Sequence, residues 1–296
     1  MDNRPLVSVA IITYNHEKYI RKAIDSVIGQ SMIEQIEINI GDDGSTDKTI
    51  EIAEEYKSKH GFISIYAHEN MGISANIYDL FLRCQGQYIA ILEGDDFWID
   101  RCKLEKQLKQ IRDNDCIAAA SNSRIENDEG EFLGFRNSQT KDVIVGKRLV
   151  EKKQVDLWMP STLMFKNIFY GSNGKYSVIR NASRMGGNHS GMINLLGSMG
   201  KIYLSKDPYA VYRYNVGPKG SNYSASNHDK IEDDIESLKK YLAYSKAFGM
   251  DYHKQISLYY CRLMKKINGE VKEYLGFPDR IRCKVFAIIR AIIKKY

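Results

Sequence analysis

Two adjacent acids, Asp95 and Asp96, follow a short apolar run and carry the strongest chemical signal in the sequence. The run Tyr88–Leu92, bounded by Gly86 and Glu93, predicts a strand that is buried on both faces. Carboxylates at the carboxyl end of such a strand lie where open α/β sheets bind ligands. Two neighbouring negative charges favour a positive partner, and Mg²⁺ or Mn²⁺ carrying a substrate diphosphate would supply it. The alternative is a solvated turn whose acids cap the next helix.

The elements before this motif alternate between strand and helix. Helical periodicity begins near Tyr19, Thr46 and Ile73. Each of these segments follows an apolar run, and a further run precedes the acids. This alternation predicts an α/β fold, with a mostly parallel, doubly wound sheet and crossover helices. The predicted strands are Leu6–Ile12, Ile36–Ile40, Phe62–Ala67 and Tyr88–Leu92.

Polar residues follow the first, second and fourth predicted strands. Because parallel strands end at one edge of a sheet, Thr13-Tyr14-Asn15, Asp42-Asp43 and Asp95-Asp96 are expected to converge on one crevice. The sequence after the first strand is neither a GxGxxG fingerprint nor a Walker A loop, so a nucleotide would be held in another way. The Asp43 carboxylate can accept from a uracil N–H or from ribose hydroxyls, and the Tyr14 ring can stack on a base. The alternative for Asp43 is to cap the helix that begins near Thr46.

Composition restricts the class of protein. The chain has 296 residues, of which 43% are hydrophobic and 27% charged, as is ordinary for a soluble globular protein. The net charge is +6, but residues 261–296 alone carry +7 and the first 260 residues carry −1. A basic face across the main domain is therefore not expected, which argues against nucleic acid as a partner.

The chain start and the cysteines indicate the compartment. Met1–Pro5 leads directly into a strand pattern, so we expect no signal peptide, and no apolar run reaches the roughly 18–20 residues that span a bilayer. The five cysteines are odd in number and lack metal-site or CxxC spacing, which predicts reduced thiols. The expected location is cytoplasmic, with the inner face of the cell membrane as a peripheral site.

Four ordered motifs together resemble one known family. They are Ser8–Asn15, Ile40–Asp47, Asn70–Gly72 with Asn76, and Glu93–Trp98. This set is similar to the inverting nucleotide-sugar glycosyltransferases of family 2, which have the GT-A fold, and the likeness covers about residues 5–215. Lys103–Gln107, after Asp100, also resembles the helix that this family carries after its metal motif.

The resemblance implies an activity and a set of site residues. The donor would be a UDP-sugar, with Mn²⁺ or Mg²⁺ as cofactor. The acceptor would be a growing glycan, lipid-linked in the surface-polysaccharide assembly of bacteria. Carried across by position, Asp43 would contact the base, Asp95 the ribose or sugar, and Asp96 the metal. The remaining donor-binding residues would be Thr13, Tyr14, Asn15 and Asn76.

The chain departs from the family pattern at two positions. The family places its catalytic base, an aspartate, where this chain has Asn188, and it often has a histidine where this chain has Asn215. An amide cannot take the proton, and general base catalysis is typically worth about 10²–10⁴ in rate. The neighbouring His189 is our candidate base, since imidazole suits base work near neutral pH. Two alternatives stay open: an acid such as Asp207 or Asp156 is the base, or the protein is a non-catalytic relative that binds nucleotide sugars.

The whole chain divides into three predicted regions. Residues 1–215 form the GT-A domain, in which Ser161 and Thr162 either meet the acceptor or belong to a packed strand. Residues 216–227 are rich in Gly, Ser and Asn and predict a loop, either a lid over the donor or a plain linker. Residues 228–296 are predicted to be helical. The last helix, 279–296, is basic and amphipathic, which favours contact with a membrane surface; the alternative is packing on its own domain.

Overall fold

The structure, a computed structural model, describes residues 4–147, 159–173, 188–214, 231–248, 251 and 256. These residues form ten strands in one sheet, with helices on both faces. The strands are β1 (Val7–Thr13), β2 (Ile36–Asp42), β3 (Ile63–Ala67), β4 (Tyr88–Glu93), β5 (Phe97–Trp98), β6 (Cys116–Glu126), β7 (Phe132–Phe135), β8 (Val143–Val145), β9 (Met164–Lys166) and β10 (Lys201–Arg213). The α-helices are α1 (Ile20–Ile28), α2 (Thr49–Lys59), α3 (Ile73–Arg83), α4 (Lys103–Asp113), α5 (Asn188–Met199) and α6 (Ile231–Phe248).

The first four strands form a parallel half in the order β3-β2-β1-β4. Each is joined to the next by one helix, which confirms the predicted doubly wound arrangement. The side chains of β1 alternate between two cores, with Ala10 and Ile12 on one face and Val9 and Ile11 on the other. Helix α3 covers the first face, and α1, α2 and α4 cover the second. A strand covered on both faces must be apolar throughout, and this explains the continuous run in the sequence.

The second half of the sheet mixes both directions. Strand β9 runs antiparallel between β4 and β6, β10 pairs in parallel with β6, and β5, β7 and β8 add antiparallel pairs. Strand β10 is long, Lys201–Arg213. Its pairing with β6 shifts between Ser205 and Ala210, where Pro208 lacks an N–H to donate.

Helix α2 begins later than predicted. The periodicity placed its start near Thr46, but the helix runs from Thr49 because Asp47 Oδ1 accepts from the Thr49 backbone N–H at 2.9 Å. An aspartate that bonds a backbone N–H two residues on favours a turn over a helical start. Residues between β2 and α2 thus form a loop at the carboxyl edge of the sheet.

The C-terminal predictions lie mostly outside the described residues. Helix α6 agrees with the helical pattern after residue 228. The structure does not describe the predicted loop at 216–227 or the predicted basic helix at 279–296. These segments, and the predicted division of the chain into regions, stay predictions. Within the residues that the structure describes, no helix combines the length and apolar character needed to cross a membrane.

Candidate active site

Three strand ends meet at one edge of the parallel half, as predicted. Thr13 of β1 pairs in register with Asp42 of β2, and Ile12 pairs with Glu93 of β4. Beyond the strands, the Asp43 N–H donates to the Thr13 carbonyl at 3.0 Å. The Gly94 N–H donates to the Ile12 carbonyl at 2.8 Å. These bonds hold the two acidic loops on either side of the end of β1 and so define a single crevice.

Asp43 anchors the turn that leads into α3. Its carboxylate accepts the backbone N–H groups of Met71 at 2.8 Å and Gly72 at 3.0 Å. His68 Nδ1 lies 3.6 Å from the same carboxylate. Asp43 does not cap helix α2, which has no side-chain hydrogen bond to its N-cap position. Its contact with a nucleotide base stays a prediction.

Asn76 is buried beneath the crevice. Its amide donates to the Gly41 carbonyl at 2.9 Å, and its Oδ1 lies 3.2 Å from His68 Nε2. A Cβ at Gly41 would lie 2.5 Å from Asn76 Oδ1, so the strand and the amide are in close contact. The side chain is thus occupied in joining β2 to α3 and in orienting His68 beside Asp43. The direct contact between Asn76 and a donor stays a prediction.

The three predicted donor-binding residues at the end of β1 have different environments. Thr13 is buried, while the Tyr14 ring is 45% exposed. Asn15 has φ +55°, and its Oδ1 accepts from the Thr46 N–H at 2.8 Å. This bond ties the loop after β1 to the loop after β2. Tyr14 is therefore the residue of the three that presents an open aromatic face.

Glu93, Asp95 and Asp96 bring three carboxyl groups together at the end of β4. Burial raises the pKa of Asp96 well above its usual range, and the nearby Asp95 raises it further. Burial likewise raises the pKa of Glu93, with Asp96 and Asp95 adding to the effect. Such a group of acids is stabilised by a cation, since an opposite charge favours the ionised carboxylates.

The two aspartates of the motif have separate roles. Asp96 is only 2% exposed, and both its oxygens are engaged: Oδ2 accepts from Ser161 Oγ at 2.6 Å and Oδ1 from the Arg213 backbone N–H at 3.0 Å. The Asp95 side chain is 23% exposed. The sequence assigned the metal to Asp96, and this assignment stays a prediction. Asp95 is the member of the pair that remains open to a ligand.

Ser161 is a positioning residue that the sequence did not predict. It lies in a 3₁₀ turn, Pro160–Thr162, directly below the acids. Its hydroxyl donates to Asp96 and accepts the Glu93 backbone N–H at 3.1 Å. The Trp98 indole N–H donates to the Ser161 carbonyl at 2.8 Å. The sequence offered acceptor contact or a packed strand for Ser161, and neither alternative anticipated a bond to a residue 65 positions away.

Arg213 is a second residue that the sequence did not predict near the acidic motif. Its guanidinium lies 5.1 Å from the Tyr19 ring centroid and 5.0 Å from that of Phe97. The approach of its positive charge lowers the pKa of Asp96, opposing the larger effect of burial. No local sequence signal places Arg213, at the end of β10, against the motif after β4.

The candidate base residues stand at the start of α5. The helix begins at Asn188, followed by His189. The structure does not describe the side chains of these two residues, nor does it describe Asp156 and Asn215. The identity of the base therefore stays a prediction. Among the described residues, no group of three or more His, Cys, Asp or Glu side chains has the arrangement of a complete metal cage. A cation held by one carboxylate and by substrate phosphates needs no such cage.

Comparisons with known proteins agree with this geometry. The model of glycosyl transferase family 2 matches residues 8–192. A putative teichuronic acid biosynthesis glycosyltransferase, TuaG of Bacillus subtilis, is 39% identical over 114 residues, which cover 38% of this chain and 44% of that protein. The chain spans about half the length, or less, of several curated relatives that it matches.

Two solved structures are similar in fold. S. aureus TarS (residues 1–349), crystallised with UDP-GlcNAc, has a TM-score of 0.64 at 15% identity, over 97% of this chain and 80% of that chain. A mannosyltransferase of Pyrobaculum calidifontis, in complex with GDP-Man and Mn²⁺, has a TM-score of 0.50 at 14% identity, over 99% of this chain and 87% of that chain. At such low identity the likeness concerns the fold, and it agrees with the predicted GT-A architecture.

Proposed function

Because this chain belongs to glycosyl transferase family 2, we propose that it transfers a sugar from a UDP-sugar donor to a glycan acceptor during polysaccharide synthesis, with inversion at the anomeric carbon. The observation that carries the proposal is the crevice itself. Asp95 is open to it, and Asp96 and Glu93 pack behind Asp95 at the carboxyl edge of a parallel sheet. The TarS complex with UDP-GlcNAc and the naming of TuaG support the donor class and the polysaccharide context.

The carboxyl group cluster fits a divalent cation. Asp95 would ligate Mn²⁺ or Mg²⁺ with one carboxylate, and the donor diphosphate would supply further oxygens. Asp96 would act indirectly, because its bonds to Ser161 and Arg213 hold the loop that carries Asp95. The bound cation would stabilise the negative charge that develops on the leaving diphosphate without needing a proton. Metal dependence thus belongs to the proposal, with Asp95, the more exposed aspartate of the pair, as the ligand that meets the ion.

The donor and the acceptor would occupy opposite sides of the cluster. Tyr14 would stack on the uracil, and Asp43, beside the end of β1, would accept from the base. The acceptor hydroxyl needs a base on the other face of the sugar for a single displacement with inversion. We propose His189 for that base, with Asn188 beside it, on the sequence argument alone.

Turnover of donors tests this function. The full chain is incubated with Mn²⁺ and a panel of UDP-sugars, with GDP-mannose as a comparison donor, and released nucleotide diphosphate is measured. We expect slow hydrolysis of one UDP-sugar, accelerated by the matching glycan acceptor in free or lipid-linked form. Binding of UDP without turnover of any donor would favour the non-catalytic alternative raised by Asn188. Turnover of GDP-mannose alone would contradict the UDP assignment.

Contact with a membrane surface is a separate proposal, and it rests on the sequence of residues 279–296. The apolar and basic faces of this segment fit the interface of an anionic bilayer. Flotation with anionic and neutral vesicles would test it, using the chain with and without residues 279–296. We expect salt-sensitive binding of the full chain to anionic vesicles; equal binding of both chains would contradict the assignment.

A further inference from the structure

His16, which follows the end of β1, is held firmly by its backbone. Its N–H donates to Thr49 Oγ1 at 2.8 Å. Its carbonyl accepts the N–H groups of Tyr19 and Ile20, both at 2.9 Å, at the start of α1. These three bonds fix the origin of the side chain between two helix starts. The imidazole therefore has a defined place in the crevice.

The imidazole points at the acidic motif. His16 Nε2 lies 4.0 Å from Asp95 Oδ2, and the two side chains are 18% and 23% exposed. A Cβ at Gly94 would lie only 2.8 Å from His16 Nδ1 and 2.9 Å from Thr13 Oγ1. Any other residue at this position would push these side chains away. The glycine thus allows the acidic loop to lie directly against His16.

Two buried polar atoms at this place lack a hydrogen-bond partner among the described residues. They are His16 Nδ1 and Thr13 Oγ1, and both lie against Gly94. Thr13 is 3% exposed, so water does not reach its hydroxyl freely. A histidine that binds a metal through Nε2 carries its proton on Nδ1 and usually donates it to a neighbouring acceptor.

The separation of His16 and Asp95 fits a cation between them better than a direct bond. A charge-assisted N–H···O bond has its heavy atoms about 2.7–2.9 Å apart, well below the observed distance. Two metal–ligand bonds of about 2.1 Å span at most about 4.2 Å. The gap of 4.0 Å falls within this range. Both side chains can therefore reach one ion that lies between them.

We propose that His16 is a second protein ligand, beside Asp95, for the divalent cation, and that its imidazole makes the site prefer Mn²⁺ over Mg²⁺. The inference rests on the proposed function, which supplies the cation and the diphosphate. Oxygen ligands suit Mg²⁺, whereas imidazole favours transition metals, so a nitrogen ligand moves the preference toward Mn²⁺. The backbone bonds of His16 to Thr49, Tyr19 and Ile20 would hold the ring in place.

Pulsed electron paramagnetic resonance of Mn²⁺ bound to the full chain with UDP tests the ligand directly. A coordinated imidazole gives a ¹⁴N coupling to the Mn²⁺ electron spin, which changes character when the histidines are labelled with ¹⁵N. We expect this coupling in the unmodified chain and its loss in His16→Asn. The matched control is His60→Asn, just before β3 at the opposite edge of the sheet, which should retain the coupling.

Metal affinities give a second readout. His16→Asn should raise the Kd of Mn²⁺ by at least about tenfold, since loss of an outer-shell partner alone typically has that effect. The Kd of Mg²⁺ should change less, because an amide oxygen suits Mg²⁺, and the preference for Mn²⁺ should fall. His16→Gln repeats the test with a longer side chain, and thermal melts identify a variant that fails to fold.

The failures of the two proposals are distinguishable. If Mn²⁺ and UDP bind to the unmodified chain through Asp95 but no ¹⁴N coupling is present, His16 is an ion-pair partner of Asp95 and this inference is wrong while the proposed function stands. If the unmodified chain binds no Mn²⁺ in the presence of UDP, the metal-dependent function fails as well. An unchanged Mn²⁺ to Mg²⁺ preference in folded His16→Asn would also overturn the assignment.

Discussion

In the parallel half of the sheet, the strand ends carry the carboxylates of the crevice, whereas the mixed half meets them with hydrogen-bond donors. Asp43 and Asp95 follow β2 and β4, while the Ser161 hydroxyl and the Arg213 backbone N–H come from the turn before β9 and from β10. The two halves join at Asp96, which follows β4 of the parallel half and whose carboxylate accepts from two donors of the mixed half. The parallel half thus supplies the groups that would meet the donor, and the mixed half sets their position.

This difference between the halves predicts that replacing Asp96 and replacing Asp95 change the stability of the protein by different amounts. Asp96→Ala would leave the Ser161 hydroxyl and the Arg213 N–H without an acceptor in a buried place. We expect a loss of about 2–4 kcal/mol in the free energy of unfolding, measured by urea denaturation. Asp96→Asn keeps an acceptor and should lose less than Asp96→Ala.

Asp95→Asn is the matched variant for that experiment. Asp95 is partly exposed and has no hydrogen bond to the mixed half among the described residues, so its replacement should leave stability within about 0.5 kcal/mol. If Asp95→Asn destabilised the protein as much as Asp96→Ala, the separation between donor contact and positioning would fail.

A buried lysine offers the next largest effect, through pH. Lys103 Nζ donates to Gln107 Oε1 at 2.7 Å and lies 4.1 Å from the Trp98 ring centroid. Burial lowers the pKa of Lys103 to about 7, against a slight opposing effect of Asp100. Between that pH and the ordinary lysine value of about 10.4, the unfolded chain binds more protons. Stability contributed through this residue therefore increases as the pH rises from about 7 toward 10.

Lys103→Met isolates this dependence. We expect the difference in unfolding free energy between the variant and the unmodified chain to shift by about 2 kcal/mol in favour of the unmodified chain between pH 6 and pH 9. Urea denaturation across this range measures it. Lys109→Met, on the exposed face of the same helix, is the control and should give no such shift. A flat difference for Lys103→Met would mean that the ammonium is solvated.

Ser161→Ala should have the smallest effect of the series. It removes one hydrogen bond to Asp96 and one from the Glu93 N–H, while Arg213 still holds the other Asp96 oxygen. We expect a loss of about 1–2 kcal/mol in thermal or urea denaturation. Combined with Asp96→Ala, Ser161→Ala should cause little further loss of stability, because both variants remove the same Ser161–Asp96 hydrogen bond. Full additivity would show that Ser161 and Asp96 are not energetically coupled.

The two halves also differ in how far the sequence predicts them. Strands β1 to β4 and the convergence of their ends follow from local apolar runs and from the rule that parallel strands end at one edge. The bonds of Asp96 do not, because Ser161 and Arg213 lie 65 and 117 positions away in the sequence. The same holds for Asn76, whose burial depends on close packing against Gly41. Residues that act through long-range packing leave no periodic signal in the chain.

The central claim is that Asp95, open in the crevice, carries metal-dependent binding of UDP. Calorimetric titration of UDP into the full chain, with and without Mn²⁺, tests it most directly when repeated on Asp95→Asn and on the exposed control Asp113→Asn. We predict that Mn²⁺ strengthens UDP binding to the unmodified chain and to Asp113→Asn, and that this gain disappears in Asp95→Asn. An equal gain from Mn²⁺ in folded Asp95→Asn would contradict the account.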